Sequence, residues 1–211
     1  MRRIIETPRG QHMTHKPRGP SHAFTLIEMI GVLAVIALLA ALLIPKIFES
    51  INNARIGQAV ISCQTIKTAT LEHYAKFQSL NSSNGVPLSV PNNNFDMVLL
   101  AERLIDKPFA ASIAASSTIQ LLGATAGAVN AARVGSAYDL DGDGNSDLAA
   151  GQFVVEAVLL NVSLADARAL NALLDGPSLG ESANGNDFAG RVVYARPGSN
   201  PLTVHIYLTH H

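Results

Sequence analysis

Residues 24–45 read FTLIEMIGVLAVIALLAALLIP, and this stretch decides the fold of the 211-residue chain. About twenty consecutive apolar residues are enough for a helix to cross the roughly 30 Å hydrocarbon core of a membrane. Backbone polar groups in lipid must be paired within their own segment, so a helix is the expected conformation. The sequence therefore predicts a transmembrane helix over residues 24–44.

The segment before this helix, residues 1–23, is basic and interrupted by proline and glycine, which is typical of a flexible leader. Basic residues on one side of a membrane helix predict that this side is cytoplasmic and that the rest of the chain lies outside. Without the leader the chain carries a net charge of −5, which argues against nucleic acid as a partner. The basic residues of the leader are Arg2, Arg3, Arg9, Lys16 and Arg18, against one acid, Glu6.

One residue, Glu28, interrupts the apolar stretch. A carboxylate inside a membrane segment costs several kcal/mol, so it needs a function or a position near the lipid headgroups. An ordinary secretory signal would have its small-residue cleavage site after the apolar stretch, whereas Ala23 precedes it. Glu28 is therefore the first candidate functional residue.

The residues around Glu28 resemble a known processing motif. Ala23-Phe-Thr-Leu-Ile-Glu28 is similar to the cleavage site of type IV prepilins and pseudopilins, with the glutamate in fifth place after the cut. Pro45 is twenty-second from Phe24, where pilins often carry a proline that kinks the helix. The family usually has glycine before the cut, and this chain has alanine, which is also small.

This resemblance implies a pathway for the chain. A prepilin peptidase would cut between Ala23 and Phe24 and methylate the new amine of Phe24. The Glu28 carboxylate of a neighbouring copy would then neutralise that amine, because two buried charges are tolerable only when paired. Such a head-to-tail contact propagates into a helical filament. Copies of the chain, other pilins and an inner-membrane assembly platform are the implied partners, and the filament would be periplasmic or on the cell surface.

Helical periodicity continues beyond the membrane segment, because apolar residues including Ile56, Cys63 and Phe77 recur every three or four positions. We predict one helix from Phe24 to about Leu80, bent at Pro45. The expected fold class is α+β, with the long helix packed on a small antiparallel sheet. The predicted parts are a leader (1–23), a transmembrane assembly helix (24–44), its continuation (45–80) and a globular domain (81–211).

Shorter patterns predict the elements of the globular domain, although residues 110–137 show no pattern that places them. Ser163 followed by Asp166 is typical of a helix N-cap. We expect two helices, Phe95–Ile105 and one from Ser163 to Asp175. We also expect three strands, of which the last two are joined as a hairpin: Gln152–Val162, Arg191–Ala195 and Leu202–Thr209.

An acidic segment in this domain resembles the first nine positions of an EF-hand loop. Alternating oxygen ligands in a tight turn suit Ca²⁺, and Gly144 stands at the sixth position. The twelfth position is Ala150 instead of glutamate, so Glu156, Asp187 or water would have to complete the shell. The alternative is a solvated acidic turn. The candidate ligands are Asp139, Asp141, Asp143, Asn145 and Asp147.

The chain has no recognisable catalytic motif, and its seven histidines form no cluster in the sequence. His205 lies within a predicted strand, where packing or surface exposure is the usual role. The single cysteine, Cys63, excludes an intramolecular disulfide and is expected to be a buried apolar residue.

The sequence favours a structural subunit of a type II secretion-like pseudopilus, not an enzyme. A type IV pilus subunit for adhesion, motility or DNA uptake is the alternative within the family. A monomeric membrane-anchored binding module or enzyme is the alternative from another class, and it would need neither Glu28 nor a cut before Phe24.

Overall fold

A computed structural model describes residues 24–176, 179–180, 182, 185–195 and 201–211. The predicted leader, which includes Ala23, lies outside the described residues, as does the predicted turn at 196–201 apart from Pro201. The chain divides into two compact units, Met1–Ile47 and Phe48–His211. The elements are α1 (Leu26–Phe77), β1 (Ser82–Ser83), β2 (Val86–Pro87), α2 (Phe95–Ala101), β3 (Ser116–Gly123), β4 (Phe153–Val162), α3 (Leu164–Leu174), β5 (Val192–Val193) and β6 (Leu202–His210).

The long N-terminal helix is confirmed as α1, which has 52 residues and includes Pro45. The bend at Pro45 stays a prediction. The helix ends at Phe77 because Gln78 adopts a positive φ of 54°, which takes the chain out of the helical path. Within the second unit α1 buries one stripe, and Cys63 belongs to it as expected, with 3% of its surface exposed. The buried residues of α1 are Ile56, Ala59, Cys63, Ile66, Ala69, Thr70 and His73.

Four strands form an antiparallel sheet in the order β3-β4-β6-β5. The predicted adjacency of the last two strands is confirmed, since β5 pairs with β6 and Val193 lies opposite His205. Successive residues of a strand face opposite sides of its sheet. In β4, Val155, Ala157 and Leu159 join the main core with the buried stripe of α1. The α+β architecture is therefore the pilin-like one that the sequence predicts.

The opposite side of the sheet has its own small core. Val154 of β4 and Val193 of β5 pack there with Tyr138 and Leu148, which belong to the segment between β3 and β4. This segment, residues 124–152, contains the acidic loop. It therefore holds that loop against the second side of the sheet.

The helix α3 follows β4 directly and is confirmed close to its predicted bounds. The Ser163 hydroxyl accepts a hydrogen bond from the backbone N–H of Asp166, as a helix N-cap does. At the other end, the Asp175 carboxylate accepts hydrogen bonds from the backbone N–H groups of Arg191 and Val192. These contacts fix the helix to β5. The other predicted helix, α2, is shorter than expected, because Arg103 has a positive φ of 61°.

Candidate functional site

The first part of α1 presents its apolar side chains to the surroundings. Every residue from Phe24 to Ile51 is exposed except Ala40, which is half-buried. By length and composition, α1 is the one helix among the described residues that is able to cross a membrane. An apolar surface of this extent needs lipid or other protein chains to cover it.

Glu28 lies in the first turn of α1 and is hydrogen-bonded to the residue that precedes the helix. Its Oε2 accepts hydrogen bonds from the backbone N–H and the side-chain hydroxyl of Thr25, both at 2.8 Å. The backbone N–H of Glu28 in turn donates to Thr25 Oγ1 at 3.3 Å. This reciprocal pairing is a capping box. Its sequence signal, a threonine followed three residues later by a glutamate, lies at the start of the apolar stretch.

Comparison with known families identifies the same segment. Residues 18–44 match the model of the prokaryotic N-terminal methylation motif. The chain carries a prepilin-type N-terminal motif, which supports a type IV pilin-like protein. The motif covers the predicted cut before Phe24, together with Glu28 and the apolar helix. Searches of curated proteins and of solved structures gave no significant match.

The motif gives this pilin-like protein a general role. A prepilin-type N-terminus implies processing by a prepilin peptidase and assembly with other pilins. The apolar first part of α1 fits anchoring in a membrane before assembly. These properties are typical of a structural subunit.

The acidic loop is the second candidate site of this pilin-like protein. Carboxylate oxygens of Asp139, Asp141 and Asp147 lie within 4.8 Å of one another. Ligands around a Ca²⁺ ion stand 2.3–2.6 Å from it, so two of them are at most about 5 Å apart, and the three carboxylates fit one ion. Asp143 lies outside this group, and its Oδ1 accepts the backbone N–H of Asn145 at 2.7 Å.

Backbone donors already fix the shape of the acidic loop. Asp139 Oδ1 accepts the N–H groups of Gly142 at 2.7 Å and Asp143 at 2.9 Å, and Asp139 Oδ2 accepts that of Gly144 at 2.9 Å. Gly144 has a φ of +91°, a conformation that glycine adopts without strain. Asp147 Oδ2 accepts the N–H of Leu140 at 2.6 Å, which ties the two ends of the loop together. The loop therefore holds its carboxylates in place through its own backbone.

Glu156, one of the two acids considered for completing a calcium shell, is engaged elsewhere. It is fully buried in β4, and its Oε2 accepts a hydrogen bond from the Tyr138 hydroxyl at 2.5 Å. His205 Nδ1 lies 3.0 Å from the same oxygen. Gly135 packs against the carboxylate so closely that a Cβ there would be 2.6 Å from Glu156 Oε1. His205 is half-buried and takes part in this hydrogen-bonded network.

This buried network affects the tyrosine that leads into the acidic loop. Burial raises the pKa of the Tyr138 hydroxyl well above its ordinary value, and the neighbouring Glu156 carboxylate raises it further. The hydroxyl therefore stays protonated and donates to Glu156. Since Asp139 follows Tyr138 directly, the network anchors the start of the acidic loop.

A second buried pair, His73 and Glu102, was not predicted from the sequence. His73 of α1 is fully buried, and its Nδ1 lies 2.7 Å from Glu102 Oε2, just after α2. Ser83 of β1 also donates a hydrogen bond to the Glu102 carboxylate. The pair joins α1, β1 and α2 and has a structural role. Residues separated by 29 positions give no local sequence signal for such a contact.

Proposed function

We propose that this chain is a structural subunit of a type II secretion-like pseudopilus, assembled from the inner membrane after cleavage before Phe24 and methylation of its amine. The observation that carries the proposal is the methylation motif on a helix whose first part is exposed, apolar and interrupted by Glu28. Assembly would replace lipid around this helix with the helices of neighbouring copies.

The proposed contact joins Glu28 of one copy to the Phe24 amine of the next. Cleavage creates a cationic amine at the start of an apolar helix, where an unpaired charge is costly. A carboxylate from a neighbouring copy neutralises it, and each copy offers both groups, so the contact repeats along a filament. The globular domain would remain outside the cytoplasm throughout.

The choice of a secretion pseudopilus over an adhesive or motility pilus rests on two features. The single cysteine is buried, so the domain lacks the C-terminal disulfide that many pilus subunits have. The acidic loop provides another way to order the same part of the chain. Deleting the gene and comparing protein export with surface motility distinguishes the two: lost export with normal motility supports the pseudopilus, and the reverse supports the pilus.

We further propose that Ca²⁺ binds the acidic loop through Asp139, Asp141 and Asp147. The support is the alternation of acids, the close approach of the three carboxylates and the similarity to an EF-hand loop. Bound there, the ion would supply positive charge and cross-link the two ends of the loop.

Replacing Glu28 tests the assembly mechanism. Glu28→Leu should insert at least as well as the natural chain, because a carboxylate leaves the bilayer. Filament formation should fail, because the amine of the next copy loses its counter-charge. Glu72→Leu, which removes an exposed acid of the same helix beyond the apolar segment, is the control and should form filaments. Normal filaments from Glu28→Leu would show that Glu28 has another role.

A further inference from the structure

The hairpin formed by β1 and β2 carries an Asn–Gly pair at its turn. Ser83 lies opposite Val86, so the turn consists of two residues, Asn84 and Gly85. Both have a positive φ, 51° and 78°. Two-residue hairpin turns require this backbone at both positions, and asparagine followed by glycine adopts it most readily. The turn therefore places the Asn84 side-chain amide next to a glycine nitrogen in the chain.

These two residues are open to solvent. Both are exposed, and a Cβ built on Gly85 would have no atom within 4 Å apart from its neighbours in the chain. In the part of the chain that the structure describes, neither the Asn84 side-chain amide nor the Gly85 N–H has a hydrogen-bond partner. Water therefore reaches both groups, and no other side chain crowds them.

An asparagine followed by glycine can react with its own backbone, and asparagine is one of the thermolabile residues of proteins. The Gly85 nitrogen loses its proton and attacks Asn84 Cγ. A new C–N bond closes a succinimide ring, the C–N bond of the side-chain amide breaks, and its nitrogen leaves as ammonia with that proton. Water then opens the ring at either carbonyl, which gives aspartate or isoaspartate at position 84. Water is the only co-reactant.

Contacts at the base of the hairpin hold the turn in shape. Each strand has only two residues, and so short a hairpin is not stable by itself. The Ser83 hydroxyl donates to the Glu102 carboxylate, which also lies 2.7 Å from His73 Nδ1. Below this contact, the Leu88 N–H donates to the Asn81 carbonyl at 2.6 Å. The hairpin is thus fastened to the buried Glu102 through Ser83.

We propose that Asn84 is a site of spontaneous deamidation and isomerisation, and that the hydrogen bond between Ser83 and Glu102 sets its rate. Ring closure brings the Gly85 nitrogen onto Asn84 Cγ, so the turn must leave its hairpin conformation, and the Ser83 contact opposes that movement. The product carries a carboxylate in place of an amide, and isoaspartate also lengthens the backbone of the turn. The modification accumulates with the age of the chain and is independent of filament assembly.

Three substitutions separate the parts of this inference. Asn84→Gly accepts the same positive φ without strain and has no side-chain amide, so position 84 is unable to react. Ser83→Ala removes the donor to Glu102, and His73 remains as a partner of that carboxylate. Ser83→Thr keeps the hydroxyl and is the matched control for Ser83→Ala.

The measurement follows the full-length chain in detergent over weeks at mildly alkaline pH. Proteolysis and mass spectrometry count the peptides in which the amide at position 84 has become a carboxylate, and enzymatic methylation of isoaspartate counts the isomer. The second Asn–Gly pair of the sequence, 184–185, lies in a different tryptic peptide and is counted separately. Ser83→Ala should react about fivefold faster than the natural chain, the effect expected from losing one hydrogen bond. Ser83→Thr should react at the natural rate.

Each other result overturns the inference. An unchanged peptide 77–103 in the folded chain, with conversion only in urea, would show that the hairpin prevents the reaction. The same mass increase of this peptide in Asn84→Gly would assign the reaction to another asparagine. Equal rates in Ser83→Ala and the natural chain would remove the role of the contact with Glu102, and equal acceleration in Ser83→Thr would exclude the hydroxyl as its cause.

Discussion

The buried hydrogen bond between Tyr138 and Glu156 should contribute measurably to the stability of the globular domain. Tyr138 is fully buried, and its hydroxyl donates to Glu156 Oε2 at 2.5 Å. In Tyr138→Phe the ring remains in its place against Tyr207, whose ring centre is 5.2 Å away. Only the hydroxyl is lost, and Glu156 keeps His205 as its partner. The substitution therefore isolates one hydrogen bond to a buried carboxylate.

The expected loss follows from the nature of that bond. A hydrogen bond to a charged group contributes about 1.5–3 kcal/mol to folding. For a domain of this size each kcal/mol lowers the melting temperature by about 2–4 °C. Tyr138→Phe should therefore lower the free energy of unfolding by about 2 kcal/mol and the melting temperature by about 4–8 °C.

Urea and thermal unfolding of a fragment containing residues 48–211 measure this effect on the second compact unit. Tyr207→Phe is the matched control, since its hydroxyl is 2.5 Å from His210 Nδ1 and the residue is only half-buried. The control should lose about 1 kcal/mol or less. Equal losses in the two variants, or no loss in Tyr138→Phe, would refute the claim that this hydrogen bond anchors the start of the acidic loop.

Two further predictions concern the same fragment. Millimolar Ca²⁺ should raise its melting temperature by several degrees over a chelator, because a hundredfold excess over Kd adds about 2.7 kcal/mol to the free energy of unfolding. Asp141→Ala should abolish this difference and Asp143→Ala should retain it. Equal melting temperatures of the natural fragment in the two solutions would show that the loop is only an acidic surface turn. Burial raises the pKa of the Cys63 thiol to about 12, so the unfolded chain releases this proton first and stability should fall by about 1.4 kcal/mol per pH unit between about pH 8.5 and pH 10, below the range in which Tyr138 of the unfolded chain loses its proton. Cys63→Ala should remove that slope in urea unfolding over this range, and an unchanged slope would contradict the assignment.

Local sequence patterns were sufficient to predict the elements that depend on residues close together in the chain. The apolar run and its helical periodicity predicted α1, and Ser163 with Asp166 predicted the start of α3. The strand β3 was not predicted, because Ser116–Gly123 lies in a segment of small residues without alternation. Its conformation depends on pairing with β4, where Ile119 lies opposite Ala157. Such pairing joins residues far apart in sequence.

The candidate sites also include features that local sequence patterns predict and features that depend on packing between distant residues. Glu28 could be found from the sequence because a single acid in an apolar helix is conspicuous. The gathering of Asp139, Asp141 and Asp147 was expected from their spacing, but the position of Asp143 outside the group depends on hydrogen bonds within the loop. The hydrogen bonds of Glu156 with Tyr138 and His205 depend on how residues 124–148 pack on the sheet. The sequence contains no local signal for that packing.

The mass of the mature chain tests the central claim most directly. Protein isolated from membranes of the native host is measured intact, and its N-terminal peptide is sequenced by mass spectrometry. A prepilin-type subunit should begin at Phe24, with one additional methyl group on its amine. A chain that still begins at Met1, or one that begins beyond Ala40, would contradict processing at Ala23/Phe24 and with it the assembly of this protein through Glu28.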